Sequence, residues 1–233
     1  MHPSVSLRQL LVDPAAFFAA ERDSWLGGAL AVGSVCALAL ASLLVPIAIL
    51  LGTEADLGVA ESFPAVRYVS GEASVVLDGR SLGIIAIVTL APVPILAGFA
   101  LLFHLLSWPV AARGSLTGTA RMTAWGAVPL AVANALTLFG TLLALPIEFE
   151  KLGYAYVTLT GRTIVQQSDP SLFLLGLNLL GVACVCWAAV IWLRGLEHVR
   201  GCSSWQAAAI VGLPVAAAVS VNVSTLLYGF VYI

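Results

Sequence analysis

Charged side chains are scarce in this chain. Asp, Glu, Lys and Arg make up 9% of its 233 residues, where a soluble domain carries about 25%. Lysine occurs once, at Lys151, beside nine arginines. The net charge of −2 gives no electrostatic basis for binding nucleic acid. Catalytic signatures are missing as well: no HExxH, no GxSxG and no phosphate loop, so zinc proteolysis, serine hydrolysis and P-loop nucleotide chemistry have no starting point. Of three histidines only His104 lies in an apolar run, which leaves a metal ion without an obvious ligand set. The four cysteines form no framework. Cys36, Cys184 and Cys186 sit in apolar runs and Cys202 in a short polar loop, and Cys184 and Cys186 would point about 200° apart on a helix. They read as small apolar filler. The expectation is a chain that is not an enzyme and holds no cofactor or metal.

Apolar residues, at 61%, are what the chain has in excess. A soluble fold of this size cannot cover that surface with so few charges, so lipid must be its main solvent. Five stretches, near 25–51, 82–111, 122–147, 171–193 and 205–230, are long enough to cross about 30 Å of hydrocarbon. None has an acid or base in its middle, and backbone groups in lipid must pair within the segment, so all five are expected to be helices. Alternating ten-residue segments of a transmembrane barrel are absent. The first 24 residues hold Arg8, Asp13, Glu21, Arg22 and Asp23, and the apolar run after them is too long for a cleaved signal; it reads as an anchor.

Five crossings place residues 1–24, 112–121 and 194–204 on one side, with Arg8, Arg22, Arg113, Arg121, Arg194 and Arg200. Arg67, Arg80, Lys151 and Arg162 lie on the other, in longer and more acidic loops. The positive-inside rule then predicts a multi-pass protein of the cell membrane with a cytoplasmic N-terminus and an external C-terminus. Trp25, Trp108, Trp125, Trp192 and Trp205 fall near the helix ends of the arginine-rich side, where an aromatic belt belongs. Residues 1–24 form a cytoplasmic lead before a membrane domain at 25–233. Within that lead Leu7, Leu10, Leu11, Phe17 and Phe18 suit a helix lying in the membrane surface, broken at Pro14.

The two external loops are alike. Residues 67–79 and 154–166 are rich in Val, Thr and Tyr and carry Ser70-Gly71 and Thr160-Gly161 as turn signals. Each predicts a β-hairpin, and pairing of the two would relieve the marginal stability of an isolated hairpin. The two inner loops are alike too: Trp108, Arg113-Gly114-Ser115, Ala124 and Pro129 run in parallel with Trp192, Arg200-Gly201-Cys202, Ala208 and Pro214. A repeated unit of hairpin, span, inner loop and span follows, at roughly 65–148 and 152–233. The fold class is thus an all-α polytopic membrane protein with five transmembrane helices and small β-hairpins in the two external loops.

Several residues are candidates for more than packing. His104 is ionisable inside a span, and its bland reading is a neutral ring bonded to a backbone carbonyl or a headgroup. Asn134, Asn178 and Asn222 each sit in an apolar run, where an amide must find a partner; they serve either as glue between helices or as the lining of a solute path. Pro46, Pro92, Pro94, Pro129 and Pro214 bend helices or open backbone to a solute. Small residues recur every four positions, with Gly33 and Ala37 in the first span and Gly212, Ala216 and Ser220 in the last, a pattern that allows close helix packing within the chain or between copies. Arg113, Gly114, Arg121, Arg194, Arg200 and Gly201 mark the inner loops as candidate interaction sites.

The segment FHLLSWPVAARGSLTGTARMTAWGAVPL (103–130) resembles the second-to-third helix junction of the Yip family, the Ypt/Rab-interacting membrane proteins. WLRGLEHVRGCSSWQAAAIVGLPV (192–215) is similar to the family's later junction, and LRQLLVDPAAFFAA (7–20) to its N-terminal lead with Pro and Phe-Phe. The resemblance implies five spans, a cytoplasmic N-terminus, an external or lumenal C-terminus and a non-catalytic role in membrane organisation or trafficking. The chain lacks the long N-terminal region of eukaryotic members, which puts contact with a prenylated GTPase in doubt, and it looks like a short prokaryotic member. The expected role is a membrane scaffold whose partners are the bilayer and a second copy or another membrane protein. The alternative is a small permease whose path is lined by the asparagines and the bent helices.

Overall fold

The computed structural model describes residues 7–20, 25–52, 66–69, 72–75, 79–110, 114–152 and 172–231. Nine helices and two short strands lie in them: α1 Leu7–Val12, α2 Pro14–Ala20, α3 Trp25–Gly52, β1 Val66–Val69, β2 Glu72–Val75, α4 Gly79–Leu90, α5 Pro92–Ser107, α6 Leu116–Trp125, α7 Ala127–Leu152, α8 Leu172–Arg200 and α9 Ser204–Val231. β1 and β2 are antiparallel, with Val66 opposite Val75 and Val69 opposite Glu72. The second expected hairpin, at 154–166, lies outside the described residues, and so does any pairing of the two.

The chain is a bundle of four to five apolar helices of membrane length. Four stretches qualify on the described residues, Trp25–Ser42, Ile85–Ser107, Leu116–Gly140 and Leu179–Arg200. The fifth helix, α9, is 28 residues long and apolar over Ser204–Ala217. Large apolar side chains such as Leu30, Ile87, Ile95, Phe139 and Leu213 are exposed on the flanks. In water that surface would drive aggregation; in hydrocarbon it is at home.

Local chemistry sets where these helices bend and stop. The second crossing divides at Ala91, where Pro92 and Pro94 remove two backbone donors. The Ala91 amide still reaches Ile87 O at 2.8 Å and Ile95 N reaches Ala91 O at 3.2 Å, so the crossing bends without unravelling. The third divides at Gly126, three residues ahead of Pro129. It also begins six residues before the expected start, at Leu116, because Ser115 caps the helix by accepting from the Gly118 amide at 3.1 Å; a capped polar turn extends a helix past the apolar run that predicted it. α8 likewise continues seven residues beyond the expected end at 193 and stops at Arg200, where Gly201 takes a left-handed φ of 67° and its amide closes on Glu197 O. α9 opens on a reciprocal box, Ser203 N donating to Gln206 Oε1 and Gln206 N to Ser203 Oγ. The helix runs unbroken through Pro214.

Most of the described core gathers toward the arginine-rich end. α3 packs on α7, α8 on both α7 and α9, and α6 is held among α3, α5 and α8. The N-terminal lead is part of this core. α2 begins at Pro14 with its amides capped by Asp13, whose Oδ1 accepts from Ala16 N at 3.1 Å, and it docks on α8. Leu10, Phe17 and Phe18 are fully buried against protein, while Leu7 and Val12 stay exposed. The expectation that all the lead's apolar residues face the membrane surface is therefore corrected. The rings of Phe17 and Phe18 fill the bundle.

Candidate functional site

Two glycine turns, at Gly114 and Gly201, lie far apart in sequence and are brought together at the end of the bundle. Gly114 and Gly201 are the glycines of positive φ among the described residues, at 100° and 67°. Each stands just ahead of a capped helix, α6 at Ser115 and α9 at Ser203. Arg200, the last residue of α8, ties them together. Its Nε donates to Ser107 Oγ at 2.9 Å and its Nη1 donates to Gly114 O at 2.9 Å. Ser107 passes its own proton to His104 O at 3.0 Å, so its oxygen is an acceptor toward the guanidinium. Arg200 is 4% exposed and Ser107 is wholly buried. A Cβ on Gly114 would strike the Val199 carbonyl, so the turn is glycine both for its φ and for the closeness of the α8 terminus.

A ladder of hydroxyls continues the cluster along α6. Ser115, Thr119 and Thr123 are spaced by four, which puts them on one helix face. Thr119 Oγ1 donates to Ser115 O at 3.1 Å and Thr123 Oγ1 to Thr119 O at 2.8 Å. With its proton committed to Ser115, the Thr119 oxygen accepts, and His104 Nδ1 stands 3.4 Å from it as the donor. The partner of His104 is thus a buried threonine hydroxyl, not the backbone carbonyl or headgroup anticipated from sequence. The indole of Trp192 completes the network by donating to Thr123 O at 2.9 Å. The break at Gly126 leaves the last carbonyls of α6 without helical donors, and the indole supplies one. A side chain at Gly126 would overlap the same indole.

Aromatic rings pack beside this network. Trp192 stacks on Phe99 with centroids 5.3 Å apart and meets Phe103 at 5.5 Å. Trp125 meets Phe17 edge-on at 4.9 Å. Both tryptophans were expected in the aromatic belt; instead Trp192 is 2% and Trp125 is 8% exposed. Position along the helix fixes a residue's depth but not its direction, and these two face inward. Trp25, Trp108 and Trp205 do stay exposed. Glycine makes the room: Gly27 lies under the Trp125 ring, and a Cβ at Gly195 would come within 3.1 Å of Met122 and Phe18.

The remaining candidates scatter. Asn134 donates to Val35 O at 3.5 Å, a long bridge from α7 to α3 that fits glue between helices. The side chains of Asn178 and Asn222, and Arg113 entirely, lie outside the described residues. Gly33 and Gly212 have open space where a Cβ would be, and Ala37, Ala216 and Ser220 are exposed. The small-residue stripes therefore face away from this chain's own helices, which corrects the reading of tight packing within the chain. Arg121 is half-buried on α6, while Arg194 is exposed and pairs with Glu197 at 3.0 Å. Of Arg200 and Gly201, candidate residues of an inner interaction loop, Gly201 is exposed and Arg200 is 4% exposed and bonded within the bundle. Sequence reasoning missed Ser107, Thr119, Thr123, Gly126 and Gly195. The period of four in Ser115, Thr119 and Thr123 was the readable signal.

Among the described residues no group of histidine, cysteine and acidic side chains is placed to hold a metal ion. In comparison with known proteins, a family model described as the Yip1 domain matches residues 8–225, a stretch that takes in every contact above. No curated protein and no solved structure matches the chain.

Proposed function

This chain belongs to the Yip1 domain family, and from that premise we propose that it is a non-catalytic membrane organiser, a scaffold acting through contacts with a second copy or another membrane protein. The observation that carries the proposal is the tie at Arg200. It joins the ends of α5 and α8 to the start of α6 and so ties three elements together at one end of the bundle. A buried polar cluster whose members bond one another favours a single arrangement of the elements it joins, which is what a docking surface needs. In this reading five spans thread the cell membrane with the tied end in the cytoplasm and the C-terminus outside. In the same reading the ribbon of β1 and β2 lies on the external face.

The permease alternative gains no support. The one described intramembrane amide, Asn134, is engaged between helices and is not offered to a path. The test of the scaffold is crosslinking in native membranes followed by co-purification. A defined oligomer or a recurrent membrane partner is the expected result, and recovery of monomer alone would refute it. Tags at residues 1 and 233 found on the same side of the membrane would overturn the threading separately.

A further inference from the structure

We propose that α1 and the turn after it form a wedge inserted into one leaflet, with lipid acyl chains against Leu7 and Val12. The indole of Trp187 carries the argument. Trp187 lies on the lipid-facing flank of α8, where it is 44% and Val190 is 49% exposed. Its Nε1 donates to Leu11 O at 3.2 Å, which seats the last turn of α1 on that flank. The first charged residue along α8 is Arg194, which is exposed and paired with Glu197 and so marks the water-facing level. Seven residues separate Trp187 from Arg194, a rise of about 10 Å. The Trp187 backbone, and with it the bonded Leu11, is therefore held about 10 Å on the hydrocarbon side of that level, at the deep limit of the 5–10 Å to which interfacial helices bury themselves.

The exposure pattern agrees. Leu10 is wholly buried in the bundle, whereas Leu7 is 57% and Val12 is 77% exposed. Those two side chains extend a surface that is already lipid-facing on α8. Arg8, on the exposed side of α1, has a stem long enough to carry its charge back to the headgroups. Asp13 is exposed at the end of the wedge, and its carboxylate is engaged by the Ala16 amide, at the helix end that favours negative charge. The lead then turns inward, and Phe17 and Phe18 anchor it to the core. The occupant of this surface is one leaflet's hydrocarbon, not a soluble protein. The inference rests on the chain spanning a membrane and not on the scaffold role, so either can fail alone.

The experiment is nitroxide accessibility in the full chain, reconstituted in phosphatidylcholine–phosphatidylglycerol vesicles, with the four native cysteines replaced. Labels go at Val12→Cys and, as a second probe, at Leu7→Cys. The reference sites are Val190→Cys on the span and Thr117→Cys on the exposed start of α6. Both lead positions are largely exposed, so the labels displace no core contact. The expected result at position 12 is a ratio of oxygen to nickel-chelate accessibility that matches position 190. A ratio matching position 117 at both lead positions would overturn the proposal. So would a water-accessible label that becomes shielded only when a second protein is added.

Discussion

Replacing Arg200 by methionine and by lysine tests the tie between the two turns. Methionine removes the charge and both donors at similar length. A hydrogen bond from a charged donor contributes about 1.5–3 kcal/mol, and Arg200 makes two. The sum overstates the loss. Gly114 is exposed, so water can serve its carbonyl, and removing the guanidinium also removes the cost of burying it. Ser107, wholly buried, has no such relief. The net loss for Arg200→Met is therefore about 2–3 kcal/mol, near the value of one bond. For a chain of this length that corresponds to a fall of about 5–10 °C in Tm. Arg200→Lys is the sharper case. An ammonium lacks the planar fork that reaches two acceptors at once, yet it keeps a charge buried with fewer partners. Lysine is expected to be no more stable than methionine, against ordinary similarity. The assay is thermal unfolding in detergent followed by size exclusion, with Ser107→Ala completing a double-mutant cycle whose coupling is expected near 1 kcal/mol. Full stability in Arg200→Lys, or additive effects in the cycle, would refute the reasoning.

Three further outcomes follow from the same geometry. Gly114→Ala meets both an unfavourable φ of 100° and the Val199 carbonyl and should cost about 1–3 kcal/mol, measured as the same shift in Tm; a neutral effect would exclude the close approach. Gly126→Ala overlaps the Trp192 indole and should cost about 1–3 kcal/mol as overpacking, with a shift of tryptophan emission that the Trp192→Phe background abolishes. At Cys202, in the turn between α8 and α9, burial pushes the thiol above its ordinary range while the Arg200 charge pulls it partly back. Only the thiolate reacts, so labelling by a water-soluble maleimide should rise at a higher pH than for an exposed thiol. Arg200→Met should move that rise higher still, and a shift to lower pH would contradict the arrangement.

The crossings were legible because lipid imposes one demand on every residue of a span, and a run of uncharged side chains answers it locally. The helix ends were less so. Ser115 and Gly201 extend α6 and α8 into polar sequence through caps, and hydropathy carries no trace of a cap. Direction around the helix was the weakest signal. In a soluble helix the polar face reveals the buried one, but a span in lipid is apolar all round, so Trp192 facing the core and Trp205 facing outward look alike in sequence. The same blindness made Gly33 and Gly212 resemble packing positions, although close neighbours stand instead at glycines such as Gly27, Gly114, Gly126 and Gly195. Arg200 misled for a related reason. A lone arginine in a short loop is most often solvated, and only the opposing turn at Gly114, reached through the fold, shows it enclosed.

That enclosure also explains why the two inner loops share a pattern. Each needs a residue that ends one helix and a glycine that reverses the chain before the next cap. Gly201 gives α8 its left-handed stop, and Gly114 leaves its carbonyl open to the Arg200 fork. The roles are not equivalent, because the guanidinium of the second loop reaches into the first. The contact is an asymmetric lock, in which Arg200 supplies the donors and Ser107 and Gly114 the acceptors. An independent pair of loops would let α5–α6 and α8–α9 rock against each other. With Ser107 and Gly114 both bound to Arg200, a motion that draws α8 away from α5 and the Gly114 turn must break two charged hydrogen bonds together.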